Sequence, residues 1–132
     1  MNANLYNGLS LAYIGDSVFE VYVRKYVLDL GYTKVNDLHK KVIKYTSAKG
    51  QSGAILNLIS NNILTEDEIL IYKKGRNSHV NLTRKNIDLK EYLEATGFEA
   101  LIGYLYLNFN IERLEYLINI VLEGGIKGEE GN

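Results

Sequence analysis

Apolar residues along this chain recur at three- and four-residue spacing, and the period-two alternation of half-buried strands is hard to find. The pattern predicts a first helix over 8–30, with Gly31 supplying the stop. Two apolar faces share that helix: Leu9, Tyr13, Phe19 and Val23 form one, and Leu11, Ile14, Val18 and Val21 the other. A helix so apolar must be covered on nearly all sides, either at the centre of the fold or between the core and a partner subunit; the second arrangement is favoured.

A second helix is predicted over 33–45, with Val35, Leu38 and Val42/Ile43 inward and Lys40, Lys41 and Lys44 outward. Ser47 caps a third through Ala54, Ile55, Leu58 and Ile59, ended by Asn61 and Asn62. Thr65 and Glu68 make a capping box for a fourth, filled by Ile69, Leu70, Ile71 and Tyr72 and closed by Gly75. From 76 to 87 periodicity fails in a polar stretch holding Arg76, Arg84 and Lys85, which reads as a surface loop. A helical pattern resumes after Asp88 and runs to Leu107. Asn110 then caps a last helix over 111–123, with Leu114, Leu117, Ile118 and Val121 inward and a frayed tail over 124–132.

Composition narrows the class without naming a chemistry. The 132 residues make one domain, 1–132, and 46% hydrophobic content argues against disorder. Proline is absent, which favours long helices. Cysteine is absent as well, which excludes a disulfide framework, a thiolate metal site and a cysteine nucleophile. No apolar run approaches the roughly 18 residues of a membrane span, so the expectation is a cytoplasmic protein with no membrane partner. Net charge is −1, yet lysines and arginines gather between Lys40 and Lys49 and between Lys73 and Lys85, where a polyanion can be held locally.

Two carboxylates stand out. Asp16 lies in the first helix with Ala12, Tyr13 and Phe19 for helical neighbours, and Glu99 is the only charge between Glu94 and Glu112. A carboxylate in apolar surroundings is costly unless it is paired, hydrogen-bonded or metal-bound, so each acid is a structural cap or salt-bridge partner, or else part of a site. Two such acids far apart in sequence are most economically explained if they meet around a hard divalent ion, which takes oxygen ligands and keeps several waters. With basic segments to take a phosphate backbone, phosphodiester hydrolysis becomes the leading reaction class. His39 and His79 are isolated from each other and lack zinc-site spacing.

The runs from Leu11 to Arg24 and from Phe98 to Leu107 resemble the paired signatures of the ribonuclease III catalytic domain. More closely, the chain is similar to the Mini-ribonuclease III family, the compact form without a double-stranded-RNA-binding domain. Asn36 to Lys41, Ser47 to Lys49 and Lys74 to Asn77 extend the likeness over nearly the whole chain. The resemblance implies an all-α ribonuclease III endonuclease-domain fold, dimeric through the signature helix. It also implies a Mg²⁺-dependent endoribonuclease, with Mn²⁺ as a substitute, that cleaves double-stranded RNA and matures the ends of precursor large-subunit (23S) ribosomal RNA.

Carried over residue by residue, Asp16 and Glu99 match the catalytic, metal-ligating acids, and Tyr13, with Ile14 and Ser17, falls at the homodimer contact. RNA contacts are assigned to Lys73, Lys74, Arg76, Asn77, Arg84 and Lys85, with His39, Lys40, Ser47 and Lys49 as a second group. The larger enzymes carry two further acids where this chain has Ala12 and Thr96, so half of the usual cluster is matched. A non-catalytic protein of the same fold that binds structured RNA is the alternative reading. Glu20, one turn beyond Asp16, is either a supplementary ligand or a helix-stabilising partner for Arg24.

Overall fold

Helix α5 (Leu89–Leu107) is the axis of the molecule, because its buried positions fall on every face: Ala95, Phe98, Ala100, Leu101, Ile102 and Leu105 all lie inside. The computed structural model describes residues 3–78 and 88–124, and the described residues are helical almost throughout. Around α5 pack α1 (Gly8–Asp29), α3 (Ala48–Ser60), α4 (Glu66–Arg76) and α6 (Ile111–Leu122). The remaining helix, α2 (Val35–Thr46), lies against α1 and α3, and a single 3₁₀ turn, Ala3–Leu5, precedes α1. The main core joins Phe19 and Val23 of α1, Ile55 and Leu58 of α3, Phe98 and Leu101 of α5, and Leu114 and Leu117 of α6. Phe19 and Phe98 meet edge to face, with ring centroids 4.9 Å apart.

The helix starts follow local chemistry. Asn7 accepts from the Ser10 backbone, Ser47 from Gly50, Thr65 from Glu68 and Asp88 from Glu91, so four of the helices begin on a side-chain cap. The capping box at Thr65 is complete, since the Glu68 carboxylate also accepts from the Thr65 N–H at 2.9 Å. The same carboxylate receives two N–H groups of Arg113, both at 2.8 Å, and this guanidinium also donates to the Ile63 carbonyl. Arg113 thereby ties α6 to the start of α4. Burial pushes Glu68 up, but the hydrogen bonds from Arg113 and the Thr65 backbone outweigh it and hold the carboxyl below its ordinary value.

Three expectations need correction. Gly75 does not end α4; the helix continues to Arg76, and Gly75 is a close-approach position where a Cβ would run into Ala100 and Gly97 of α5. Val35, Ile43 and Leu70 point outward, because the apolar stripes of α2 and α4 turn so that Val42, Ile71 and Tyr72 take the inner positions. Asn110 occupies the cap position of α6 without a side-chain cap bond. The predicted tail beyond Gly124, His79, and the loop positions Arg84 and Lys85 lie outside the described residues.

Candidate active site

Asp16 and Glu99 are brought together by two glycines. Gly15 of α1 lies so close to α5 that a Cβ there would collide with the Glu99 carbonyl oxygen, and Gly103 of α5 stands in the same relation to the Leu11 carbonyl. With no side chain at either crossing point, the two backbones approach to contact. Asp16 follows Gly15, and Glu99 is one turn before Gly103, so the crossing sets their carboxylates side by side. They stand within hydrogen-bonding reach of each other.

Their environments differ from the sequence expectation. Asp16 is exposed in the single chain, on the outward side of α1, while Gly15, Val18 and Phe19 turn inward. Glu99 is half-buried, and burial first, then the hydrogen bond and charge of Asp16, push its carboxyl up to about 8. Periodicity identifies a stripe but not which stripe faces the core, which is why Asp16 read as buried. Two facing carboxylates with one carrying a raised pKa make a locus that a proton or a cation stabilises.

The surroundings define what that locus can hold. Ala12 is buried at the α1–α4 contact, and Thr96 is buried with its hydroxyl donating to the Tyr92 carbonyl at 3.0 Å, so neither adds a ligand. Glu20 is engaged with Arg24 at 2.7 Å, the helix-stabilising alternative. Among the described residues no group of three or more His, Cys, Asp or Glu side chains is placed to share one ion. The donor set is therefore two carboxylates. It suits a hard divalent ion that keeps most of its own waters, and lacks the nitrogen and sulfur donors of a structural zinc site.

On α3, Gln51 and Ser52 are buried polar residues. Ser52 donates to the buried Glu94 carboxylate at 2.7 Å, while the Gln51 side chain lies near Glu99 and opposes the rise in its pKa. Sequence reasoning missed both, although Gln51 interrupts the apolar stripe of Ile55 and Leu58 just as Asp16 interrupts that of α1.

The residues expected to touch RNA divide sharply. Lys73, Asn77, His39, Lys40 and Lys49 are exposed. Arg76 lies over the Tyr72 ring at 5.3 Å and donates to Asn77. By contrast, the Lys74 ammonium donates to the Tyr6 carbonyl, and the Ser47 hydroxyl is engaged as the α3 cap, which directs both toward holding the fold. The end of α4 abuts Gly8, whose Cβ would meet Ser78 and Lys74, about 12 Å along α1 from Asp16 at 1.5 Å per residue. Tyr13 and Ser17 are exposed on α1 beside Asp16, whereas Ile14 is partly buried and packs on the core.

The sequence profile of the Ribonuclease III domain matches residues 9–110, which include both acids and the crossing glycines Gly15 and Gly103. The chain belongs to the ribonuclease III family. Mini-ribonuclease 3 of Enterococcus faecalis is 48% identical over 113 residues, 86% of either chain, and that of Streptococcus pneumoniae 44% identical over 119 residues, covering 90% of this chain and 93% of the relative. A crystal structure of a Fusobacterium nucleatum protein matches with a TM-score of 0.80 at 38% identity, over 91% of this chain and 94% of that one. These similarities identify an endoribonuclease of the Mini-ribonuclease 3 branch, in a family that acts on double-stranded RNA and works with divalent metal ions. No helix among the described residues is long and apolar enough to cross a membrane.

Proposed function

We propose that this ribonuclease III-family chain is a Mg²⁺-dependent endonuclease whose site is the Asp16–Glu99 pair, that it acts as a cytoplasmic homodimer, and that its substrate is the base-paired stem of precursor 23S ribosomal RNA. The whole chain, 1–132, serves as one catalytic domain. The observation that carries this reading is the approach of two carboxylates across the glycine crossing of α1 and α5. Asp16 and Glu99 would hold the metal ion, with Mn²⁺ as a substitute. When bound, such an ion orients a water, assists its deprotonation and neutralises charge building on the scissile phosphate. Of the two residues that would hold the ion, Asp16 is the exposed one and Glu99 the half-buried one. The ribosomal assignment follows from the family resemblance.

Recognition belongs to exposed Lys73 and Asn77 and half-buried Arg76 near the end of α4, and to exposed His39, Lys40 and Lys49 on α2 and α3. They present positive charge and donors to phosphates and 2′-hydroxyls, so binding follows duplex shape and weakens with salt. The test is incubation of a labelled RNA duplex with wild type, Asp16→Asn and Glu99→Gln, each with EDTA, Mg²⁺ or Mn²⁺. Cleavage by the wild type with metal, and a loss of more than about 100-fold in both variants with duplex binding retained, is the expected result. Wild-type cleavage in EDTA, or variants that cut at the wild-type rate, would overturn it.

A further inference from the structure

Gln51, Ser52 and Glu94 are buried polar residues on the contact between α3 and α5 that the proposed chemistry does not use. Ser52 and Glu94 satisfy each other across that contact. Gln51 is different: only 2% of it is exposed, and its Nε2 has no hydrogen-bond partner among the described residues. A buried amide with an unengaged N–H is costlier than an apolar side chain of the same shape. Its neighbours on the α3 stripe, Ile55 and Leu58, show that apolar packing is what this face otherwise uses.

The Gln51 side chain lies close enough to the Glu99 carboxylate to act on it, which makes that carboxylate a candidate acceptor for the unpartnered amide. The other buried polar groups nearby are already engaged, Glu94 with Ser52 and the Thr96 hydroxyl with the Tyr92 carbonyl. We propose that Gln51 is a positioning residue: its amide N–H donates to one oxygen of the Glu99 carboxylate when the other oxygen faces the metal ion, which fixes the carboxylate toward Asp16. The proposal rests on the reading of Asp16 and Glu99 as the metal-holding pair. Gln51 itself touches neither metal nor RNA. The Ser52–Glu94 bond, one residue along α3, pins α3 to α5 and keeps the Gln51 amide in register with Glu99. An outer partner of this kind removes the rotameric freedom of a ligand, and its loss weakens metal affinity about 10- to 100-fold.

The experiment compares wild type, Gln51→Leu, Gln51→Met and Asp16→Asn. Mn²⁺ affinity of the metal-free proteins is measured calorimetrically without RNA, together with their melting temperatures and the kcat and KM of duplex cleavage. Both Gln51 variants lack the donor, and the unbranched Met keeps the comparison open should the Leu variant fail to fold. The expected result is a metal-free melting temperature unchanged or raised, Mn²⁺ binding about 10- to 100-fold weaker, and kcat lowered at limiting metal and restored by excess, with KM for the duplex unmoved. Wild-type Mn²⁺ affinity in a folded Gln51 variant, or a lowered melting temperature with unaltered affinity, would overturn the proposal. Equal Mn²⁺ affinity in wild type and Asp16→Asn would instead overturn the metal-site reading beneath it.

Discussion

Gly15 lies directly against the backbone carbonyl of Glu99, and this one contact sets the separation of the two signature helices. An alanine in a helix interior ordinarily gains about 1 kcal/mol over glycine. Here the sign reverses, because the new methyl would meet backbone, which cannot rotate away. Gly15→Ala is expected to destabilise the protein by about 1–3 kcal/mol or more, as overpacking does, and to lower cleavage more than duplex binding by prising Asp16 from Glu99. Thermal melting alongside a cleavage assay checks both. A stabilised Gly15→Ala variant would show that α1 and α5 are not in contact there.

The Glu99 carboxyl, held up to about 8 against an ordinary value of 4.5, makes the stability of the metal-free protein depend on pH. Between those values the folded state carries a proton that the unfolded chain releases, so stability falls as pH rises across the window and levels off above it. The total is on the order of a few kcal/mol at most. Glu99→Gln should flatten that slope and melt roughly several degrees above wild type at pH 8.5. A saturating divalent ion should act similarly on the wild type, because binding displaces the proton. Melting curves from pH 5 to 9, with and without metal, read the effect; parallel curves for wild type and Glu99→Gln would refute it.

Much of this could be read from the chain, and the failures share a cause. Spacing and caps located the helices, because a Thr65–Glu68 box or an apolar stripe acts within one or two turns. What depended on a neighbouring helix was misjudged. Gly75 reads locally as a stop and is in fact a contact with α5. Arg113, which no local pattern singles out, braces the Glu68 carboxylate from α6. Asp16 and Glu99 were identifiable as anomalies in their own helices, but the exposure of one and the half-burial of the other follow from the crossing angle and from what covers each face. Gln51 carried the same signal as Asp16, a polar residue in an apolar stripe, in a milder form because an amide is less conspicuous than a charge.

The basic residues can be sorted by experiment. Lys49→Ala and Arg76→Ala are each expected to weaken duplex binding and to reduce the slope of log affinity against log salt by about 1, leaving the metal requirement unchanged. Arg76→Ala should also cost some stability, since its guanidinium covers the Tyr72 ring. Ser47→Ala is expected to behave differently: loss of the bond to the Gly50 N–H lowers stability by about 1 kcal/mol with little effect on RNA affinity. Binding isotherms from 50 to 300 mM salt separate the two groups. A salt slope reduced by Ser47→Ala and unchanged by Lys49→Ala would reverse the assignment.

The outer face of α1 is the surface on which the proposed homodimer can be tested. Tyr13 is 81% exposed, Val21 67% and Leu28 54%, and with Ser17 between the first two they follow one helical stripe beside Asp16. An apolar stripe of this length on a single chain is the kind of surface a second copy covers, and two-fold symmetry would lay each α1 against the other. Because these side chains make no core contacts, the double variant Tyr13→Asp, Val21→Asp should fold with unchanged helicity while its mass in solution falls from two chains to one. Cleavage should fall with it if, as proposed, the paired subunits present both Asp16–Glu99 pairs to one duplex. Light scattering, circular dichroism and a cleavage assay on the same samples decide the matter. A wild type that runs as a single chain, or a double variant that stays paired, would remove α1 from the interface.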